Sequence, residues 1–219
     1  MSEWLREAEE ADNYLSLCNK YYCNALARKY SSYTLWYDQS LVRSAERFIP
    51  DDIDAKVIIL NTSADGGMPH TRPYNLICLP AYFPEERLET TIQHELVHLD
   101  QRRNPLKWHN LLKRDGWKIE NQNEIIRKIP NDILNRCRLN PDTLDIRFVS
   151  WQERYIPFPL FVREDKPELR DIQIRWFDLQ EKTLRPFAPT SFLEKYGNNR
   201  SVSEMEHPYE YYAYAYENR

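Results

Sequence analysis

The chain has 219 residues and a net charge of −4, from 30 basic and 34 acidic residues. Its length and its 13% aromatic content allow a sizeable core, which excludes a disordered or fibrous protein. The balanced charge excludes an overall field that would attract nucleic acid or an anionic membrane. The first residues are charged and no apolar run approaches the ~18 residues of a membrane span, so we expect a cytoplasmic, intracellular protein. The four cysteines share no C-x-x-C spacing and predict neither a zinc ribbon nor a disulfide framework.

The first part of the chain predicts two helices and two strands. Apolar residues recur at helical spacing over 3–30, and a second helix is expected over 34–48, ending before Pro50. Short apolar runs at Lys56–Asn61 and Tyr74–Pro80 predict strands.

The segment between these strands, Met68–Pro73, is polar and is interpreted as a loop near the mouth of a cleft. In that position His70 or Arg72 could contact a substrate. The alternative is a solvated loop without a function in binding.

The middle of the chain predicts two helices in succession. The first runs from about Pro84 to Arg103 and is broken by Asn104. Pro105 suits the first position of the next helix, which covers Leu106–Arg114 and stops at Gly116.

The remaining residues predict short helical pieces over 119–142, three strands and a last helix that begins at Pro208. Two prolines, Pro157 and Pro159, make the middle strand an edge or a bulged strand. The three strands are Thr143–Trp151, Tyr155–Val162 and Ile172–Leu179.

The helix before Asn104 carries the sequence His94-Glu95-x-x-His98. Histidines four residues apart project from one helix face and can bind one tetrahedral zinc ion. Glu95 can then reach a water molecule on the open side of the metal and accept its proton, as in the zinc hydrolases that use H-E-x-x-H. The alternative is an exposed amphipathic helix with two unrelated histidines.

A catalytic zinc requires a third protein ligand. The metzincin spacing would put a histidine at position 104, but that residue is Asn104. Glu210, near the start of the last helix, is the best placed carboxylate, and His109 and His207 remain alternatives. Glu210 also fits the third position of a helix, where a glutamate can close a capping arrangement instead.

The segment Glu210-Tyr211-Tyr212-Ala213 resembles the Glu-aromatic-aromatic-Ala helix that supplies the third zinc ligand in some gluzincins, including the catalytic domain of anthrax lethal factor. Together with His94-Glu95-x-x-His98 it makes the chain similar to a gluzincin metallopeptidase over two short segments, residues 88–100 and 206–217. The upstream strand and the loop at 69–73 are also similar to uncharacterised zincin-like proteins of large DNA viruses.

The resemblance implies an α+β, zincin-like fold. It comprises a helical N-terminal region, a small mixed sheet with an edge strand beside the H-E-x-x-H helix, and a C-terminal ligand helix. We expect a single domain over 1–219, with an upper lobe of about 1–104 and a lower lobe of about 105–219.

The resemblance also implies a zinc metallopeptidase that hydrolyses protein or peptide substrates. His94, His98 and Glu210 match the metal ligands, and Glu95 matches the general base. The sequence departs from the family pattern at Asp100, where an apolar residue is usual. It also departs at Tyr214, where thermolysin-like enzymes carry an aspartate that orients a ligand histidine. Candidates for stabilising the oxyanion are His207, Tyr209 and Tyr211.

Two other functions stay open. A zincin-shaped protein could use the metal for structure or binding, without hydrolysis. The segment Asn104–Gly116 also resembles the region after the motif in proteases that digest DNA–protein crosslinks, although their ligand histidine falls on Asn104. A basic cluster there would suit nucleic acid, against which the net charge argues. Its members are Arg102, Arg103, Lys107, Lys113, Arg114 and Lys118.

Overall fold

The computed structural model describes residues 3–21, 33–197 and 199–217 and has an α+β architecture with two small sheets. The first half contains helices α1 (Glu3–Asp12), α2 (Tyr14–Tyr21), α3 (Gln39–Glu46) and α4 (Leu88–Arg103), and strands β1 (Lys56–Leu60), β2 (His70–Arg72) and β3 (Leu76–Pro80). The second half contains helices α5 (Pro105–Arg114), α6 (Gln122–Lys128), α7 (Asn131–Arg136), α8 (Thr190–Tyr196), α9 (Val202–Glu206) and α10 (Pro208–Glu217). Its strands are β4 (Trp117–Ile119), β5 (Val149–Trp151), β6 (Tyr155–Phe161), β7 (Ile172–Asp178) and β8 (Thr183–Arg185).

The first sheet has the order β1-β3-β2, with β1 parallel and β2 antiparallel to β3. The apolar face of α4 packs against it, and Leu88, Ile92 and Leu99 are buried there in one core. The edge strand expected beside the H-E-x-x-H helix was the one just upstream of it, Tyr74–Pro80. This strand, β3, is instead the central one, because the short strand β2 pairs with its free side.

The loop predicted at Met68–Pro73 is confirmed at Met68 and Pro69, which line the cleft described below, and it is wrong for His70–Arg72, as are both interpretations of His70 and Arg72. These residues belong to β2 and are fully buried. The Arg72 guanidinium donates to both carboxylate oxygens of Asp12 at 2.7 Å, and Nε2 of His70 lies 2.6 Å from the Tyr33 hydroxyl. A buried ion pair explains how a polar strand enters the interior, since Arg72 meets its counter-charge on α1.

The second sheet is antiparallel, with the order β4-β5-β6-β7-β8. The proline-containing strand β6, predicted to be an edge or a bulged strand, lies in the middle of the sheet and pairs with β7 in an uninterrupted register. Beyond Tyr155, however, it has no further pairing with β5. The carbonyl of Pro159 accepts the backbone N–H of Arg138 at 2.8 Å on the side away from β7. The nitrogen atoms of Pro157 and Pro159 face that same side, so the β6–β7 ladder loses no N–H donor to the two prolines.

The helices predicted around the motif are confirmed with small changes. Helix α4 begins after a 3₁₀ turn at Glu85–Arg87 and ends at Arg103, and Pro105 opens α5 at its first position. Gly116 ends α5 with a φ of +97°, and an added Cβ there would meet the ring of Trp151 at 3.0 Å.

The N-terminal helix predicted over 3–30 breaks at Asn13, whose φ is +54°. Its part from 22 to 32 lies outside the described residues. The second helix begins at Gln39 and not near residue 34, because the Asp38 side chain caps it through the Leu41 N–H at 2.9 Å. Of the helices in the described part of the chain, none is sufficiently long and apolar to span a membrane.

Candidate metal centre

Helix α4 and helix α10 pack against each other and carry the residues of the candidate site. The face of α4 opposite its core side presents His94 and His98, one helical turn apart. His98 is fully buried, while the His94 side chain is 12% exposed. Glu210 projects from the first turn of α10 and is also buried.

The three side chains bring their ligand atoms together. The Nε2 atoms of His94 and His98 are 3.1 Å apart. Oε2 of Glu210 lies 3.3 Å from Nε2 of His94, and Oε1 lies 3.5 Å from Nε2 of His98. A zinc ion bound at about 2.0–2.1 Å in tetrahedral geometry holds its ligand atoms about 3.3–3.4 Å apart. The cluster therefore fits one metal ion, although two imidazoles and a carboxylate are not specific for zinc.

The electrostatics of the cluster favour a positive charge at its centre. Burial alone would lower the pKa of His98, but the Glu210 and Asp142 carboxylates outweigh it and raise that pKa to about 10. Burial alone would raise the pKa of Glu210, but the imidazoles of His98 and His94 hold it well below its usual value. A metal cation that replaces the proton between His98 and Glu210 would be stabilised by the same carboxylates.

Gln101 fixes the tautomer of His98, which the sequence left unassigned. Its Nε2 donates to the backbone carbonyl of Tyr209 at 3.1 Å, so its Oε1 faces the imidazole. That Oε1 accepts from Nδ1 of His98 at 2.7 Å. Nδ1 consequently carries a proton, so Nε2 is the nitrogen that would lose its proton and face a bound metal. The spacing of three residues on one helix is a signal that could have identified Gln101.

Replacing Gln101 with Ala is expected to weaken metal binding about 10- to 100-fold, because His98 then loses the acceptor that orients it. Competition with a chromophoric chelator measures the affinity. Gln93→Ala, at an exposed position of the same helix, is the matched control and should bind metal like the wild type. Equal affinities of the two variants would contradict the role of Gln101.

Asn140 holds the Glu210 carboxylate in place. Its Nδ2 donates to Oε1 of Glu210 at 2.7 Å, and its Oδ1 accepts the backbone N–H of Asp142 at 3.0 Å. This second contact also caps the 3₁₀ turn Pro141–Ile146. Nothing in the sequence around Asn140 pointed to this role, because the contact spans 70 residues of chain.

Glu95 lies beside the cluster and is only 2% exposed. Its Oε2 has no hydrogen-bond partner among the described residues. Burial raises the pKa of Glu95 well above its usual value, and the nearby Asp142 and Glu210 carboxylates add to this effect while His98 opposes it. A carboxylate with a raised pKa is a better proton acceptor at neutral pH than an ordinary one.

Four of these residues line one cleft of about 570 Å³. The cleft contains His94, Glu95, Asn140 and Glu210. Its other lining residues are Met68, Pro69, Arg87, Thr91, Arg138, Asp142, Ser203, Glu206 and Tyr214. The ring of Tyr214 stands edge-on to His94 at 4.6 Å between centroids, so the residue at the position where thermolysin-like enzymes carry an aspartate contacts one of the two imidazoles.

The alternative third ligands lie elsewhere. His207 uses both ring nitrogens, since Nε2 donates to the carbonyl of Ile146 at 3.0 Å and Nδ1 accepts the N–H of Tyr209 at 3.1 Å. His109 lies in a separate surface depression with Lys113 and Trp117. The oxyanion candidates His207, Tyr209 and Tyr211 do not line the cleft, so the sequence-based prediction for them is not supported by the geometry.

Asp100 departs from the family pattern for a structural reason. Its carboxylate accepts hydrogen bonds from Asn104 at 2.6 Å, Lys107 at 2.6 Å and the Trp108 indole at 2.8 Å. These contacts join the end of α4 to the start of α5. Asn104 therefore belongs to the helix junction and not to the metal cluster.

Comparisons with known proteins leave the site to be judged on its geometry. A scan against protein-family models matched no family, and searches of the curated proteins and of the solved structures matched none of them.

Proposed function

We propose that the chain is a zinc metallopeptidase of the gluzincin type, which hydrolyses peptide bonds in protein or peptide substrates. The observation that carries the proposal is the meeting of four residues, of which His94, Glu95 and Glu210 line one cleft and His98 lies buried behind it. His94, His98 and Glu210 form a buried set of donors, and the unpartnered carboxylate of Glu95 stands beside them. A structural metal site needs no carboxylate of this kind next to its ligands.

His94, His98 and Glu210 would hold the metal. Zinc in this position would polarise the scissile carbonyl and lower the pKa of water toward ~7. Gln101 and Asn140 keep two of the ligands in position, through the contacts at 2.7 Å to His98 and to Glu210.

Glu95 would act as the general base and then as the general acid. It takes a proton from the attacking water and passes it to the leaving amine. Its burial suits both steps, because a raised pKa lets the protonated carboxyl persist long enough to donate.

The proposed fold is zincin-like, with α4 beside a small mixed sheet. The edge strand next to the cleft would be β2, since Met68 and Pro69 precede it and line the cleft. An extended peptide would not pair with β2 itself, because His70, Thr71 and Arg72 are buried and the Thr71 N–H already donates to Asp142 at 2.6 Å, so only Met68 and Pro69 would be within its reach.

The basic cluster gives little support to a nucleic-acid partner. Arg102 pairs with Asp145 at 2.9 Å, Lys107 with Asp100 at 2.6 Å and Lys118 with Glu153 at 2.9 Å. Charges neutralised by neighbouring carboxylates release few counterions from a phosphate backbone. A peptide is therefore the preferred substrate class.

Digestion of casein and of a peptide library tests the proposal. The metal-loaded chain should cleave peptide bonds, lose this activity with a chelator and regain it when zinc is restored. A chain that binds zinc with the three ligands and cleaves nothing would instead be a zincin-shaped binding protein. Cleavage that persists in full after metal removal would contradict the mechanism.

A further inference from the structure

Glu206 is a buried glutamate in the cleft that the proposed chemistry does not use. It is the last residue of α9, it is 5% exposed, and it lines the same cleft as Glu95 and Glu210. It does not belong to the group of donors that could hold the metal ion. Its carboxylate therefore calls for another explanation.

The hydrogen bonds around Glu206 leave one oxygen unused. Nη1 of Arg138 donates to Oε2 of Glu206 at 2.7 Å, and Nη2 of Arg138 donates to Asp65 at 2.9 Å. Asp65 is satisfied on its other oxygen by the Tyr14 hydroxyl at 2.7 Å. Oε1 of Glu206, in contrast, has no partner within the described part of the chain.

The charge balance of Asp65, Glu206 and Arg138 also favours a cation beside Glu206. Asp65 and Glu206 together carry two negative charges against the single guanidinium of Arg138, so one negative charge is not compensated within this group. Asp65 has a donor on each of its oxygens, whereas Glu206 has one donor for two oxygens, so the missing donor is at Oε1 of Glu206. Burial raises the pKa of the Glu206 carboxyl to about 7 even though Arg138 lowers it. A buried carboxylate oxygen without a donor is costly, and a positively charged donor would relieve that cost.

The geometry also indicates which kind of group could donate to Oε1 of Glu206. Both Nη groups of Arg138 are engaged and only its Nε lacks a partner. The cleft is lined by four carboxylates, Glu95, Asp142, Glu206 and Glu210, against the two guanidiniums of Arg87 and Arg138, so it favours a cation over a carboxylate or a phosphate. A guanidinium prefers two acceptor oxygens in a fork, whereas only Oε1 lacks a donor here. A primary ammonium is a compact charge that a single carboxylate oxygen can accept.

We infer that Glu206 binds a primary ammonium group of the substrate in the cleft, through Oε1. The ammonium has two sources in a peptide, the side chain of a lysine and the free N-terminus. The inference rests on the proposed function in so far as the ligand is called a substrate, but binding of the ammonium itself requires no hydrolysis.

Calorimetric titration of the zinc-loaded chain with three small amides tests this inference. N-acetyl-lysine amide offers the side-chain ammonium, norleucine amide offers the α-ammonium, and N-acetyl-norleucine amide offers neither. One of the two cationic amides should bind about 10- to 100-fold more tightly than the neutral one, as expected for a charge-assisted hydrogen bond in a buried site. Which of the two binds identifies the source.

The variant Glu206→Gln should lose this preference, while Glu204→Gln should keep it. Glu204 lies on the same helix and does not line the cleft, so its replacement removes the same charge from another place. Equal binding of the three amides by the wild type, or an unchanged preference in Glu206→Gln, would overturn the inference. If Glu206→Gln does not fold, a crystal structure of the wild type with the tighter amide decides, because its ammonium must contact Oε1 of Glu206.

Failure of the inference and failure of the proposed function remain distinguishable. A chain that prefers an ammonium but cleaves no peptide refutes only the peptidase. A chain that cleaves peptides without this preference refutes only the role of Glu206.

Discussion

Replacing Glu95 with Gln is expected to reduce peptide hydrolysis about 10²- to 10⁴-fold, which is the usual contribution of a positioned general base. The amide has the shape of the carboxylate but cannot accept a proton. Metal content should not change, because Glu95 is not one of the three ligands in the cluster. The measurement is kcat/KM on a fluorogenic peptide, together with metal analysis of the same sample.

The control for this variant is Glu89→Gln, an exposed glutamate in the first turn of α4. It should keep full activity. A neutral amide is also cheaper to bury than a charged carboxylate, so Glu95→Gln should melt no lower than the wild type at neutral pH. Hydrolysis by Glu95→Gln at the wild-type rate would show that the proton is accepted elsewhere.

Replacing Glu210 with Ala is expected to lower zinc affinity by more than about 100-fold. Loss of a residue that only hydrogen-bonds to a metal ligand already costs about 10- to 100-fold, and Glu210 is proposed to bind the metal directly. The change removes the only anion of the three-residue cluster and leaves the His98 imidazole without its counter-charge. Hydrolysis should disappear with the metal. Chelator competition and metal analysis after dialysis measure the effect.

Two comparisons make the Glu210 result specific. Glu194→Ala, at an exposed position of α8, should bind zinc like the wild type. His109→Ala should also keep its metal, because His109 lies in a separate depression. Full zinc occupancy in Glu210→Ala would assign the third ligand to another residue.

The parts of the fold that could be predicted depend on local signals. Helices α4 and α5 follow from apolar spacing, from Pro105 at a first helical position and from Gly116 at an end. The metal cluster could be proposed because two of its ligands are four residues apart. The third ligand, Glu210, could be predicted only because the sequence around it resembles a family pattern.

The parts that were missed depend on contacts between distant residues. Strand β2 looks like a solvated loop in sequence, because the acidic partners of Arg72 lie 60 or more residues away on α1. Asn140 reaches Glu210 in the same way, across 70 residues. Strand β6 was predicted to be an edge or a bulged strand because its prolines were counted as lost donors, whereas they lie at positions where the ladder with β7 needs no N–H.

The most direct test of the central claim is anomalous diffraction at the zinc edge from crystals of the metal-loaded chain. We predict one ion at about 2.0–2.2 Å from Nε2 of His94, Nε2 of His98 and a carboxylate oxygen of Glu210. An ion held by other residues, or a Glu210 side chain turned away from the two imidazoles, would contradict it.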